Sequence, residues 1–206
     1  MILDGDEFAR ACFNAHSFLP ARCPYKTALL RTAPGHMDLT ATDGYAVGRA
    51  LISSDSITGE PVSIELSRDD LLALDKAGRA AKGEVELSLK AGDGIVATYP
   101  YGGAGPVSVM DQTGRGPDLA DLWDACDELL AQLEDCPERI AFDPAILMRY
   151  GKVKTPKGTS PMLDMAFGSA DRPVLAKVGP GFVGAVMPVQ RGIAGSCEAR
   201  GEAFLW

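Results

Sequence analysis

At 206 residues, with 46% hydrophobic and 23% charged side chains, the chain is long enough for one large or two compact domains with a real core, which excludes general disorder and the fibrous classes. A net charge of −8 argues against indiscriminate affinity for nucleic acid and leaves only a local basic surface for that role. Apolar runs break well short of the ~20 residues a bilayer span needs, and residues 1–7 lack a basic, then apolar, leader, so no membrane partner is expected and the expected location is the cytoplasm.

In chain order, residues 4–16 read as a short helix: Phe8, Ala11 and Cys12 share a face, and acids crowd the first turn, where the helix dipole favours them. Strand-like runs follow at 27–32 and 37–42, the second alternating apolar and polar. Asp43-Gly44 is a hairpin turn, and 45–52 reads as the return strand. Residues 61–66 form another strand. Ser67 then stands as an N-cap with Asp70 three residues on, before a helix that carries Leu71, Leu72 and Leu74 toward Gly83. Strands at 84–89 and 94–99 flank Asp93-Gly94, and the glycine- and proline-rich run 101–106 reads as a linker.

The clearest helix begins at Pro117-Asp118. Leu119, Leu122, Trp123, Cys126, Leu129, Leu130 and Leu133 recur at helical spacing until Pro137 stops it. Its other face holds Asp118, Asp121, Asp124, Asp127, Glu128, Glu134 and Asp135, with no base among them. A short strand at 138–142 leads to Asp143-Pro144, an N-cap with proline in the first helical position, and Ile146, Leu147 and Tyr150 give that helix its face. Strands at 162–167, 174–178 and 182–189 complete the pattern. Strand, N-cap, short helix and strands thus occur at 62–99 and again at 139–189, which predicts an α+β protein of two similar modules with antiparallel sheets.

Several segments resemble the bacterial DNA polymerase sliding clamp (the beta clamp). Residues 39–45 (LTATDGY) resemble its "ATDGHR" hairpin, and residues 185–191 (AVMPVQR) its "VMPMRL" ending. Residues 142–147 (FDPAIL) resemble its last helix start and 173–177 (PVLAK) its "PVLI" strand; the order is that of the family's final two domains, over about residues 27–191. The resemblance implies a processivity factor with no enzymatic activity, metal or cofactor. Sheets would form an outer wall and helices would line a hole around duplex DNA. Short peptides of a DNA polymerase would bind in an apolar pocket. It implies modules at 1–102 and 103–191 with two helices each, a C-terminal tail at 192–206, and a ring of three chains, with phage as the expected source.

Carried over position by position, the pocket comprises Thr42, Gly44, Tyr45, Ala46, Val47, Met187, Pro188, Val189 and Arg191, with Tyr45 standing where the family usually has histidine and Ala46 where it usually has arginine. The DNA-facing bases would be Lys76, Arg79 and Lys82 on one helix and Arg149, Lys152, Lys154 and Lys157 at the end of another, able to follow phosphates without reading sequence. Two features depart from the pattern. The acids of 118–134 would repel DNA if that helix lined the hole, and 136–142 leaves room for one short strand where the family has three, so the second module reads as truncated. The alternative is a clamp-fold adaptor or decoy that binds replication proteins without encircling DNA. The tail ends in Phe204-Leu205-Trp206 and is expected to dock into this pocket or a neighbour's.

Other motifs lead nowhere. Residues 179–184 spell G-x-G-x-x-G, but a strand follows where a dinucleotide site needs a helix, and no Walker sequence exists. The five cysteines (Cys12, Cys23, Cys126, Cys136, Cys197) include no C-x-x-C pair, so neither a disulfide framework nor a zinc site is expected. Cys12 and His16 on one helix face can be argued as the nucleophile and base of a small hydrolase, the remote third alternative.

Overall fold

The computed structural model describes residues 1–81, 83–101, 105–115, 118–131, 140–167 and 172–189. The first part of the chain is a β-α-β-β-β unit used twice. β1 (Ile2–Asp4), α1 (Gly5–His16), β2 (Thr27–Ala33), β3 (His36–Thr42) and β4 (Ala46–Ser53) form the first copy. β5 (Ser63–Ser67), α2 (Arg68–Ala80), β6 (Glu84–Lys90), β7 (Gly94–Thr98) and β8 (Val107–Met110) form the second. The two copies exchange their opening strands: β5 pairs with β2, and β1 pairs with β6.

Caps set both helix starts. The Asp4 carboxylate accepts the Glu7 N–H at 2.8 Å. Ser67 and Asp70 close a capping box, each side chain accepting the other's backbone N–H, at 3.2 and 3.0 Å. α2 ends at Ala80 rather than near Gly83. The helices lie against each other at Gly78, where an added Cβ would come within 2.7 Å of Ala9 Cβ, so only glycine allows this approach.

α3 (Ala120–Ala131), α4 (Pro144–Tyr150), β9 (Leu163–Ala166), β10 (Val174–Val178) and β11 (Phe182–Val186) follow. α4 through β11 repeats the helix-and-strands part of the unit. Residues 140–142 carry no strand, contrary to the expectation for 138–142, whose first two residues lie outside the described ones. β11 stops at Val186 instead of running to Val189.

Two antiparallel sheets result, one in the order β1-β6-β7-β8 and one in the order β5-β2-β3-β4-β11-β10-β9. β11 joins the larger sheet through β4, with Phe182 opposite Ala50 and Val186 opposite Ala46. β8 pairs with β7, so the pairing of the smaller sheet continues past position 102. Among the described residues, no helix is long and apolar enough to cross a membrane.

The two faces of the seven-stranded sheet pack differently, as the alternation of strand side chains requires. Leu30, Leu39, Ala50, Ala176, Phe182 and Val186 belong to the main core with α1, α2 and α4. The rings of Phe18 and Tyr150 stand edge-on at 5.1 Å, and Phe182 completes the group 5.5 Å from Phe18. Leu29, Val47 and Ala185, the alternate residues, form a second cluster with Leu119, Trp123 and Cys126. α3 therefore lies on the opposite face of the sheet from the other helices.

Candidate peptide-binding pocket and basic face

The β3–β4 hairpin is held by its own side chains. Thr42 donates its hydroxyl to the Ala46 carbonyl at 2.8 Å and accepts the Gly44 N–H at 3.0 Å. Asp43, nearly inaccessible, accepts the N–H groups of Tyr45 and Ala46, both at 3.0 Å, and its second oxygen receives the Arg149 guanidinium from α4. Gly44 sits at φ 91°, where a side chain would strain the turn. These constraints push Tyr45 outward. Past β11, the Met187 N–H donates to the Tyr45 carbonyl at 2.9 Å, and the Val189 N–H donates to that of Ala141 at 2.7 Å.

A recess of about 70 Å³ opens between these segments, lined by Thr42, Gly44, Tyr45, Ala46, Val47 and Met187. Pro188 is half-buried and Val189 exposed just beyond it; Arg191 and the tail lie outside the described residues. The opposite wall is Leu122, Ala125 and Cys126 of α3, with Pro173. Sequence reasoning missed that wall. The apolar stripe of α3 was visible, but nothing in it names the sheet face that receives it.

α3 is tied to the sheet by charge. Asp127 accepts from Arg31 at 2.8 and 3.1 Å and also pairs with Arg49. Both arginines lie near buried Asp38, at 3.7 and 3.6 Å, and Arg49 donates to Thr40 at 2.9 Å. Burial pulls the Arg49 pKa below its usual value, opposed by Asp38 and reinforced by the neighbouring Arg31. Asp118, Asp121, Asp124 and Glu128 face solvent. These acids therefore stand on the opposite side of the sheet from α1, α2 and α4.

Cations do gather among the other helices. Lys76 is exposed on α2. Arg79, one turn on, pairs with Asp75 at 2.5 and 2.8 Å and stacks over Phe13, 4.9 Å from the ring centre. Lys154 covers the same ring at 4.2 Å. Lys152 and Lys157 are exposed; Lys82 lies outside the described residues. Arg149 departs from the expectation. It is turned onto Asp43 and only 16% exposed, so it holds the pocket hairpin instead of offering a charge to phosphate.

Nothing here supports a hydrolase built on Cys12 and His16. Cys12 is fully enclosed in the main core, where burial pushes its thiol far above the usual range and removes the thiolate a nucleophile needs. Among the described residues no group of three or more acids, histidines or cysteines could hold a metal ion.

No protein-family model matches the sequence, and no curated protein matches it. Solved structures do. A DNA polymerase sliding clamp from Pseudomonas aeruginosa with ligand matches at TM-score 0.69 and 15% identity, over 92% of this chain and 65% of that one. The pol III beta protein of Caulobacter crescentus matches at 0.65 and 16%, and the DNA polymerase beta subunit of Streptococcus pyogenes at 0.65 and 15%, with the same coverage. The chain therefore has the fold of the bacterial DNA polymerase sliding clamps, over about 65% of their length.

Proposed function

We propose that this chain is a clamp-type tether for DNA replication: it holds peptide segments of a DNA polymerase, or of other replication proteins, in the recess between the β3–β4 hairpin and the end of β11. One observation carries the reading. Thr42 to Val47 and Met187, far apart in sequence, converge on one apolar recess on the sheet face opposite α1, α2 and α4. A partner bound there would not compete with DNA at the helices. Methionine and tyrosine at the rim suit a site that accepts more than one peptide.

In the fuller version, chains of two modules associate into a closed homo-oligomer, three copies being the simplest ring, around duplex DNA. Lys76, Arg79, Lys152, Lys154 and Lys157 follow the phosphates without reading bases. The protein then acts in the cytoplasm, that of the host if a phage encodes it. A second version, an adaptor or decoy that never encircles DNA, is favoured by one feature: among the described residues the second module contributes only β9, β10 and β11, and β9 is left as a sheet edge.

Light scattering with retention on circular and linearised duplex DNA at low salt separates the two. A trimer kept on circles and lost from free ends supports the ring; a monomer that ignores both supports the adaptor. The pocket itself is tested by calorimetric titration with griselimycin, which a P. aeruginosa sliding clamp binds. Binding that Val47→Asp abolishes is expected; binding unaffected by that change removes the pocket from the account.

A further inference from the structure

The recess has a wall that belongs to no strand. Leu122, Ala125 and Cys126 of α3 close it to about 70 Å³, whereas an apolar cavity that holds a benzene ring measures about 150 Å³. The recess is open at Tyr45 and Met187, and an aromatic side chain would be only partly enclosed there while α3 is seated.

Three observations mark α3 as weakly secured to the sheet. Its buried side chains form a small cluster apart from the main core, the arrangement in which local opening is least costly. Trp123 is 5% exposed, yet among the described residues its buried indole N–H has no hydrogen-bond partner, a cost that seating imposes. Among the described residues, Asp127 is the one α3 side chain hydrogen-bonded to the sheet, and at 37% exposure its pairing is open to screening by salt. Release would not orphan the arginines, because Arg31 and Arg49 keep Asp38.

We propose that α3 is a removable cover of the pocket, latched by Asp127 on Arg31 and Arg49, and that a partner peptide with a bulky apolar side chain seats fully only when the helix lifts. This rests on reading the recess as a peptide site, and the test keeps the two apart.

Cys126 reports the lifting directly, since it is buried beneath α3 while Cys12 is buried in the main core. In the full chain carrying Cys136→Ser and Cys197→Ser, maleimide labelling is followed residue by residue by mass spectrometry. Asp127→Ala, which removes the pairing with both Arg31 and Arg49, is expected to raise the Cys126 rate roughly tenfold, with Cys12 still protected. Added salt should act in the same direction. Trp123→Phe, which removes the unpaired N–H, should slow labelling. Cys126 and Cys12 reacting together, only at global unfolding, would overturn the cover. Griselimycin titrated into the same variants tests the other half. Tighter binding by Asp127→Ala supports gating of the pocket. Faster Cys126 labelling with griselimycin binding absent from every variant would leave a lifting helix but overturn its role as a pocket cover.

Discussion

Arg149 of α4 reaches across the sheet seam to the buried carboxylate of Asp43, so the hairpin that shapes the recess is clamped from the second module. Removing one partner leaves the other charge buried. Arg149→Ala should lower stability by about 3 kcal/mol, measured by denaturant unfolding, and the double change with Asp43→Asn should cost less than the sum of the two single changes.

Tyr150 secures the same seam from beneath. Its hydroxyl donates to the carbonyl oxygen of Ala185 at 2.7 Å and lies 3.2 Å from that of Val47. Tyr150→Phe should cost about 1–2 kcal/mol in the same assay, because the buried Ala185 carbonyl loses this donor while the ring packing against Phe18 survives.

At Gly48 an added Cβ would lie 2.6 Å from the Phe182 ring and 2.7 Å from that of Phe18. Gly48→Ala should therefore destabilise by about 1–3 kcal/mol and lower Tm, since neither ring can retreat from the core.

Stability should decline at both ends of the pH scale for different groups. Cys12 is buried neutral, with its folded pKa raised far above 9.0. Its stabilising contribution is complete below that value and is lost as pH rises beyond it, when the unfolded thiol ionises first; Cys12→Ala should flatten this alkaline limb. For Asp111, burial would raise the pKa, but hydrogen bonds from Thr113, Gly92 and Glu65 outweigh it and hold the carboxyl below 3.8. That contribution is present above 3.8 and is lost as pH falls through the folded value. Denaturant midpoints across pH for Cys12→Ala and Asp111→Asn check each limb.

If the helix face meets DNA, Lys154→Ala and Lys76→Ala should weaken binding equally on unrelated sequences and each reduce the salt dependence by about one counterion. Arg149→Lys should leave that slope unchanged. A larger effect from Arg149 than from Lys154 would put the DNA elsewhere.

Local chemistry made much of the fold legible. The Ser67–Asp70 box, the Asp143-Pro144 start and the Asp43-Gly44 turn each act within a few residues, and the structure has them where the sequence predicts. β1 and β8 were missed because strands of three and four residues are too short to show a period, and β8 follows a run whose glycines read as linker. The placement of α3 was illegible for another reason. An apolar stripe records that a helix is covered, not which face covers it, and that choice is made by the distant pairing of Asp127 with Arg31 and Arg49. Arg149 shows the same limit: a base at a helix end looks free until its partner, Asp43, is brought to it by the sheet.

The most direct test of the central claim is amide NMR of the Asp127→Ala chain titrated with griselimycin. The account predicts shifts concentrated at Thr42, Ala46, Val47 and Met187, with the α1 and α2 amides unmoved. Shifts centred on the helix face, or none at saturating ligand, would contradict it.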